Sequence, residues 1–200
     1  MLKNCIKHPV SYISIVVLLL SGCGVFSTKP QADVSPQVKQ AYQRALDSMK
    51  AGRHKQAIKQ FINITKSNPS LSGPHTNLGM LYLKTSSMQR AEQSLQKAIE
   101  LNPENRIAYN YLGIVYRQQG HFDDAEKAYL KAIEVDSRYG YAHLNLGILY
   151  DLYKSNLQKA LSHYQKYQSL TDSPDKVVEK WIVDIKRRDT AKTKQEEKKG

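Results

Sequence analysis

The chain is 200 residues long with a formal net charge of +12, and it contains only two cysteines. That length is enough for one domain with a sizeable core, and so few cysteines exclude a disulfide framework, so the fold must hold by packing. The charge is uneven: residues 1–22 carry +2, residues 23–70 carry +6, residues 71–175 carry none net and residues 176–200 carry +4.

Lys3, Lys7 and His8 open the chain, and the eleven-residue run from Val10 to Leu20 is almost wholly apolar. Crossing a hydrocarbon core takes about twenty residues. A basic start, a short apolar run and small residues at its end read as an export signal. The stretch Leu20-Ser21-Gly22-Cys23 at that end resembles the lipobox of bacterial lipoproteins. The resemblance implies that residues 1–22 are a lipoprotein signal peptide, cut just before Cys23, and that a diacylglyceryl group joins the Cys23 sulfur. Gly24 follows, where aspartate would hold such a protein at the inner membrane. The implied location is the outer membrane, lipid-anchored, with the body facing the periplasm. An uncleaved anchor and an ordinary secretory signal are the competing readings. Cys5 leaves with the signal and Cys23 is taken by lipid, so no disulfide remains.

Residues 23–37 then read as a lipidated tether. Its stretch GVFSTKPQADVSP shows no periodicity and reaches about 40 Å if extended.

Beyond it a spacing of 34 recurs in five columns. Gly79, Gly113 and Gly147 share it, as do Tyr82, Tyr116 and Tyr150, and Ala57, Ala91 and Ala125. Phe61, Leu95 and Tyr129 form a fourth column, and Pro69 and Pro103 a fifth, with Ser137 in the third place. A fixed period of this length marks a repeat architecture, in which no single unit can bury its apolar face alone and neighbours must stack. The columns resemble the tetratricopeptide repeat, two antiparallel helices (A and B) per unit. The implied fold is an all-α solenoid of about four helix-turn-helix repeats, at 38–71, 72–105, 106–139 and 140–172, with a C-terminal capping helix. The glycine and alanine columns would let helices lie close. The tyrosines would fill the space between them, and proline would end helix B. Repeat one departs, with Ala45 and Ser48 for the glycine and tyrosine. Repeat four has one extra residue, placed in the loop Tyr153–Asn156. His75, Tyr109 and His143 stand where the family has tryptophan. After Ser173-Pro174, read as a helix start, Val177, Val178, Trp181, Ile182 and Ile185 share one face of a capping helix over 173–190. Residues 191–200 read as a charged, frayed tail.

Chemistry is sparse. The histidines are scattered rather than gathered at metal spacing. There is no nucleophile elbow or phosphate loop, and Asp123-Asp124 reads as helix capping. No enzyme activity, cofactor or metal is expected. In the family, helix A lines a concave groove that holds ligands. Carried onto this chain, that groove is Asn77, Met80 and Lys84, then Asn110, Tyr111, Ile114 and Arg117, then Tyr141, Leu144, Asn145 and Ile148. The carry-over also reaches Leu83, Ile107 and Leu152. Its asparagines offer donor and acceptor to a peptide backbone. The family's carboxylate clamp would need basic residues and asparagine where Tyr42, Leu46, Ile107 and Tyr111 stand, and only Asn77 matches.

Lys50, Arg53, Lys55 and Lys59 crowd one hairpin. The periplasmic reading sets nucleic acid aside and leaves anionic lipid, cell wall polymer, an acidic protein face or plain solvated surface. The expected function is a scaffold holding an envelope protein, as peptide or helix, in the groove, with the membrane contacted through acylated Cys23. Residues 110–148 look like the matching stretch of lipoprotein adaptors that recruit cell-wall hydrolases. Pilotin lipoproteins of type IV pilus assembly, which also join a lipobox to tandem repeats, are the alternative.

Overall fold

The computed structural model describes residues 34–197, with side chains through residue 191. The expected signal peptide, Cys23 and most of the expected tether lie outside the described residues. Within them the chain forms nine helices and no strand. The first eight make four hairpins: α1 (Pro36–Lys50) with α2 (His54–Ser67), α3 (Ser72–Lys84) with α4 (Met88–Leu101), α5 (Arg106–Gln118) with α6 (Phe122–Val135), and α7 (Gly140–Leu152) with α8 (Leu157–Ser169). The last helix, α9, covers Lys176–Glu197. Its core clusters are drawn from residues 45–185, so this unit carries a core of its own.

The second helix of each hairpin shows why the period is legible. Ala57, Phe61 and Ile64 on α2 are buried, and so are Ala91, Leu95 and Ala98 on α4 and Ala125, Tyr129 and Ala132 on α6. A spacing of four and then three residues puts each trio on one stripe. Asn68, Asn102 and Asp136 end these helices with φ of −140°, −144° and −147°. The two asparagines precede Pro69 and Pro103, and proline disfavours the helical conformation in the residue before it. Asp136 precedes Ser137 and bends the same way, its Oδ1 accepting from Arg138 N at 2.9 Å as Asn102 Oδ1 accepts from Glu104 N at 3.0 Å, so a local side-chain turn closes the helix even without proline.

The glycine column has a specific task. A Cβ on Gly113 would sit 2.5 Å from the Tyr129 ring. A Cβ on Gly79 would come closer than 3.0 Å to Leu95, and one on Gly147 equally close to Tyr164. Hairpins two to four therefore each press a large side chain of the second helix onto bare backbone of the first. Repeat one keeps Ala45 in that place, buried beside Phe61.

Helices α3 and α5 touch directly, as do α5 and α7, with no contact of like extent between successive second helices. The stack therefore curves, with the first helices on the inside. The Tyr153–Asn156 loop takes up the extra residue: Ser155 has φ +51°, and Asn156 Oδ1 caps α8 by accepting from Lys159 N at 3.0 Å. Lys154 crosses back to bond Asp123 at 2.6 Å, and it also bonds Glu126. Asp123 is thus an inter-repeat tie as well as a first-turn carboxylate.

Both ends differ from the sequence reading. Helix α1 begins at Pro36, inside the expected tether, because Ser35 Oγ accepts from Val38 N at 3.4 Å. At the other end Asp175, not Ser173, caps α9, its Oδ1 accepting from Val177 N at 2.9 Å and Val178 N at 3.3 Å. Val178 and Ile185 are buried and Trp181 packs 5.5 Å from Tyr164. Val177 falls off that face and is 55% exposed. Arg188 fastens α9 to Asp151 of α7 at 2.5 Å. The expected frayed tail is helical to Glu197, since no glycine or proline interrupts residues 175–199 and lysine, glutamate and glutamine are good helix formers.

His143 takes the tryptophan position and is buried. Its Nδ1 lies 3.1 Å from Nδ1 of His163 on α8, its Nε2 lies 3.3 Å from the Ser137 carbonyl, and His163 stacks on Tyr150 at 5.6 Å. One imidazole donates across the short gap only if the other accepts, so the contact requires a neutral ring. Burial, and then the neighbouring His143 and Lys159, press His163 down to about 4. Burial and, further down, Lys166 lower His143, against its bond to Ser137.

Two predictions follow from this packing. Gly147→Ala replaces a poor helix former by the best one, which at an open site would stabilise by about 1 kcal/mol. Here the added methyl meets the Tyr164 ring, so urea unfolding should show a loss of about 1–3 kcal/mol; a gain would mean the ring has room to yield. For the histidines, the unfolded rings titrate near the ordinary value of about 6.5, above their folded values. The unfolded chain then binds more protons as pH falls below about 6.5, and stability drops. Tm should fall from about pH 7 to about pH 5, and His163→Asn should flatten that slope; equal slopes would remove the pair from the account.

Candidate functional site

The inner face is built from α1, α3, α5 and α7, and much of its polar chemistry is spent joining those helices. Asn77 Nδ2 donates to Tyr42 Oη at 2.6 Å, and Asn145 Nδ2 donates to Asn110 Oδ1 at 3.0 Å. Each bond runs between neighbouring first helices. Asn105, which caps α5 by accepting from Ala108 N, also donates to Ser72 Oγ at 2.9 Å and Thr76 Oγ1 at 2.8 Å. Burying these groups without partners would cost stability, so the bonds serve packing first.

This changes the part expected of the asparagines. Asn110 is only 3% exposed and has its oxygen occupied, so it is a tie between α5 and α7 rather than a surface a partner can reach. Asn77 and Asn145 are half-buried with one amide proton committed each. Arg117 is also engaged within the chain: its Nε donates to Tyr129 Oη at 3.4 Å and its guanidinium lies 5.9 Å from the Tyr153 ring. Ile114, Leu144 and Ile148 are half-buried against the core cluster of the last two repeats. Met80 is half-buried and Lys84 exposed on α3.

What stays open is one aromatic and two aliphatic side chains. Tyr141 is 61% exposed, Ile107 38% and Leu152 66%. The Tyr141 ring meets Tyr139 edge-on, with centroids 5.9 Å apart. Arg106 lies 5.5 Å over the Tyr139 ring and pairs with Asp136 at 3.1 Å. Burial, and then the phenol of Tyr141, push the Tyr111 hydroxyl up. Tyr139 is pushed up to about 12, by burial first and by Tyr111 next, with Arg106 opposing. The Tyr111 and Tyr139 phenols are therefore neutral near pH 7, each an apolar ring with a hydroxyl that can donate. Beside them Tyr139, Gly140, Tyr141, Tyr167 and the Leu170–Asp175 turn enclose an open depression of about 590 Å³.

Of the residues expected in the groove, the structure brings Tyr111 and Tyr141 into one cluster and sets Ile107 exposed on the same inner helix as Tyr111. It adds Tyr139, Arg106 and Tyr167. The signal for Tyr139 lay in the Tyr139-Gly140-Tyr141 triplet, two aromatics in a turn where the earlier repeats carry Leu71 and Asn105. The basic residues Lys50, Arg53, Lys55 and Lys59 lie on the first hairpin, away from this cluster in sequence, and all are exposed. Among the described residues no three histidine, cysteine or carboxylate side chains gather as metal ligands, and no helix is long and apolar enough to cross a membrane.

Comparison with known proteins agrees with this geometry. No curated protein matches the chain. Among solved structures, MamA is 26% identical with a TM-score of 0.60, over 66% of this chain and 77% of that one. The pilF protein of Pseudomonas aeruginosa is 20% identical with a TM-score of 0.69, over 79% and 72% of the two chains. YrrB, described as a tetratricopeptide repeat protein with an unusual peptide-binding site, is 24% identical with a TM-score of 0.58, over 70% and 71%. The tetratricopeptide repeat model matches residues 42–105, 76–134 and 112–175. Those matches span the four hairpins described above, and the chain belongs to the tetratricopeptide repeat family.

Proposed function

We propose that this protein is a scaffold anchored in the outer membrane through acylated Cys23, holding a segment of an envelope protein against the inner face of repeats three and four. The observation that carries the groove reading is the exposed Tyr141 beside Tyr111 and Tyr139, with Ile107 open on α5. Tyrosine offers large contact area with little conformational freedom to lose, and such residues often dominate interface energy. Phenol hydroxyls can add hydrogen bonds to a backbone carbonyl without selecting sequence. The tetratricopeptide fold, which generally serves protein association, supports binding over catalysis, and the inner face brings together no nucleophile with a base. The lipobox resemblance at Leu20–Cys23 supports the anchor. An adaptor for cell-wall hydrolases is the first reading of the pathway and a pilotin the second; the likeness to the Pseudomonas pilF structure speaks to fold alone.

The test is capture from envelope extract by the lipidated protein, in which a wall hydrolase favours the adaptor and a secretin subunit the pilotin. Tyr141→Ala should weaken capture about tenfold or more with Tm near that of the parent, because this ring is exposed and outside the core. A photo-crosslinking residue at Tyr141 should trap the partner, whereas one at Leu130, 44% exposed on the outer helix α6, should not. Equal trapping at both places would move the site off the groove. For the anchor, Cys23→Ser should leave an unprocessed precursor at the inner membrane, and mature-sized, acylated protein from that variant would refute it.

A further inference from the structure

The first hairpin differs from the other three in its charges. Residues 34–71 hold seven basic side chains against one carboxylate, Asp47. All seven, Lys39, Arg44, Lys50, Arg53, Lys55, Lys59 and Lys66, are exposed. Among the described residues none of them is in an ion pair, whereas Lys97, Arg106, Lys127, Lys131, Lys154, Arg187 and Arg188 all are. On α2 the lysines are also ordered. At about 100° per residue, Lys55, Lys59 and Lys66 fall within an arc of about 40°, along about 16 Å of helix. Lys50 and Arg53 extend the stripe into the α1–α2 turn.

We infer that this stripe is a docking surface for an anionic lipid bilayer, a second contact that lays the first repeat on the membrane independently of the groove. The choice of occupant rests on what accompanies the charge. No large apolar side chain of residues 34–71 is exposed, so the surface lacks the aromatic or aliphatic anchor on which protein interfaces depend. Headgroups need no such anchor. They form a fluid sheet of negative charge that basic side chains reach by attraction alone, within a Debye length of the surface. Position in the chain fits too: α1 starts thirteen residues beyond Cys23, and if Cys23 is acylated the tether keeps this hairpin within about 45 Å of the bilayer. The basic stripe would then add to a lipid anchor, much as one acyl chain and a polybasic patch act together.

The experiment uses the unit 34–200, which has its own core and lacks the apolar run and Cys23, so acylation plays no part. It should co-sediment with phosphatidylethanolamine vesicles containing about 30% phosphatidylglycerol and not with phosphatidylcholine vesicles. Raising salt from about 0.05 M to about 0.5 M should release it. Reversing Lys55, Lys59 and Lys66 to Glu should weaken vesicle binding about tenfold or more with unchanged melting. Reversing Lys176, Lys180 and Lys186 on α9 removes equal charge and should leave most of the binding. Tyr141→Ala should bind vesicles like the parent, so failure of the groove reading leaves this result intact. No binding to the anionic vesicles, binding insensitive to salt, or equal loss from both triple variants would overturn the inference. So would capture of an acidic protein, wall fragments or duplex DNA by the stripe with no vesicle binding.

Discussion

The contact on which the stack depends is a large side chain laid on bare helix backbone. In the last two hairpins it is a tyrosine ring over glycine, Tyr129 on Gly113 and Tyr164 on Gly147, and in the second it is Leu95 on Gly79. Glycine in a helix interior costs about 0.5–1 kcal/mol relative to alanine. That cost is offset because the missing methyl lets two helices approach until a ring fills the gap and is fully buried, as Tyr129 and Tyr164 are. Both rings keep their hydroxyls protonated, burial being the main reason. The hairpin becomes a rigid unit with a fixed angle between its helices, and the remaining architecture is repetition of that unit.

Repetition of a rigid hairpin has two consequences for function. First helices end up side by side on the inside of the curve, close enough for Asn145 to bond Asn110 and Asn77 to bond Tyr42. The same closeness consumes the polar groups that a groove would otherwise offer. What stays open on this face is side chains too large for the seam, above all Tyr141, and the opening beside it comes from the turn into α9. A second consequence concerns charge. From α4 onward each hairpin, and α9, ties at least one basic side chain to a carboxylate, whereas the first hairpin holds one carboxylate, Asp47, and among the described residues none of its basic side chains is paired. The molecule is asymmetric along its axis, basic and polar at the start, aromatic toward the end.

Much of this was legible before any coordinates. Translation along a solenoid forces each repeat to make the same contact with its neighbour, so residue types recur at a fixed interval, and the columns of glycine, alanine and large side chains gave hairpins, order and end effects alike. The loop at Tyr153–Asn156 followed from a simple count. Residues whose partner is another repeat were harder. Asn110 reads as a groove residue by position, and only the lateral offset between α5 and α7 decides that its oxygen meets Asn145. Arg117 likewise reads as open and is drawn onto Tyr129 and Tyr153.

The chain ends show the same division. That a helix follows repeat four was determined by the apolar spacing of Val178, Ile182 and Ile185. Where it starts was decided by Asp175, whose carboxylate reaches two backbone amides only after α8 has turned back. Sequence alone determined the repeat, the register of its buried columns and the uneven charge, because these depend on local periodicity and composition. Tertiary structure decided which polar groups are spent inside, which tyrosines stay open and which lysines stay unpaired, because each depends on distances between segments about 35 residues apart that periodicity brings near but does not set.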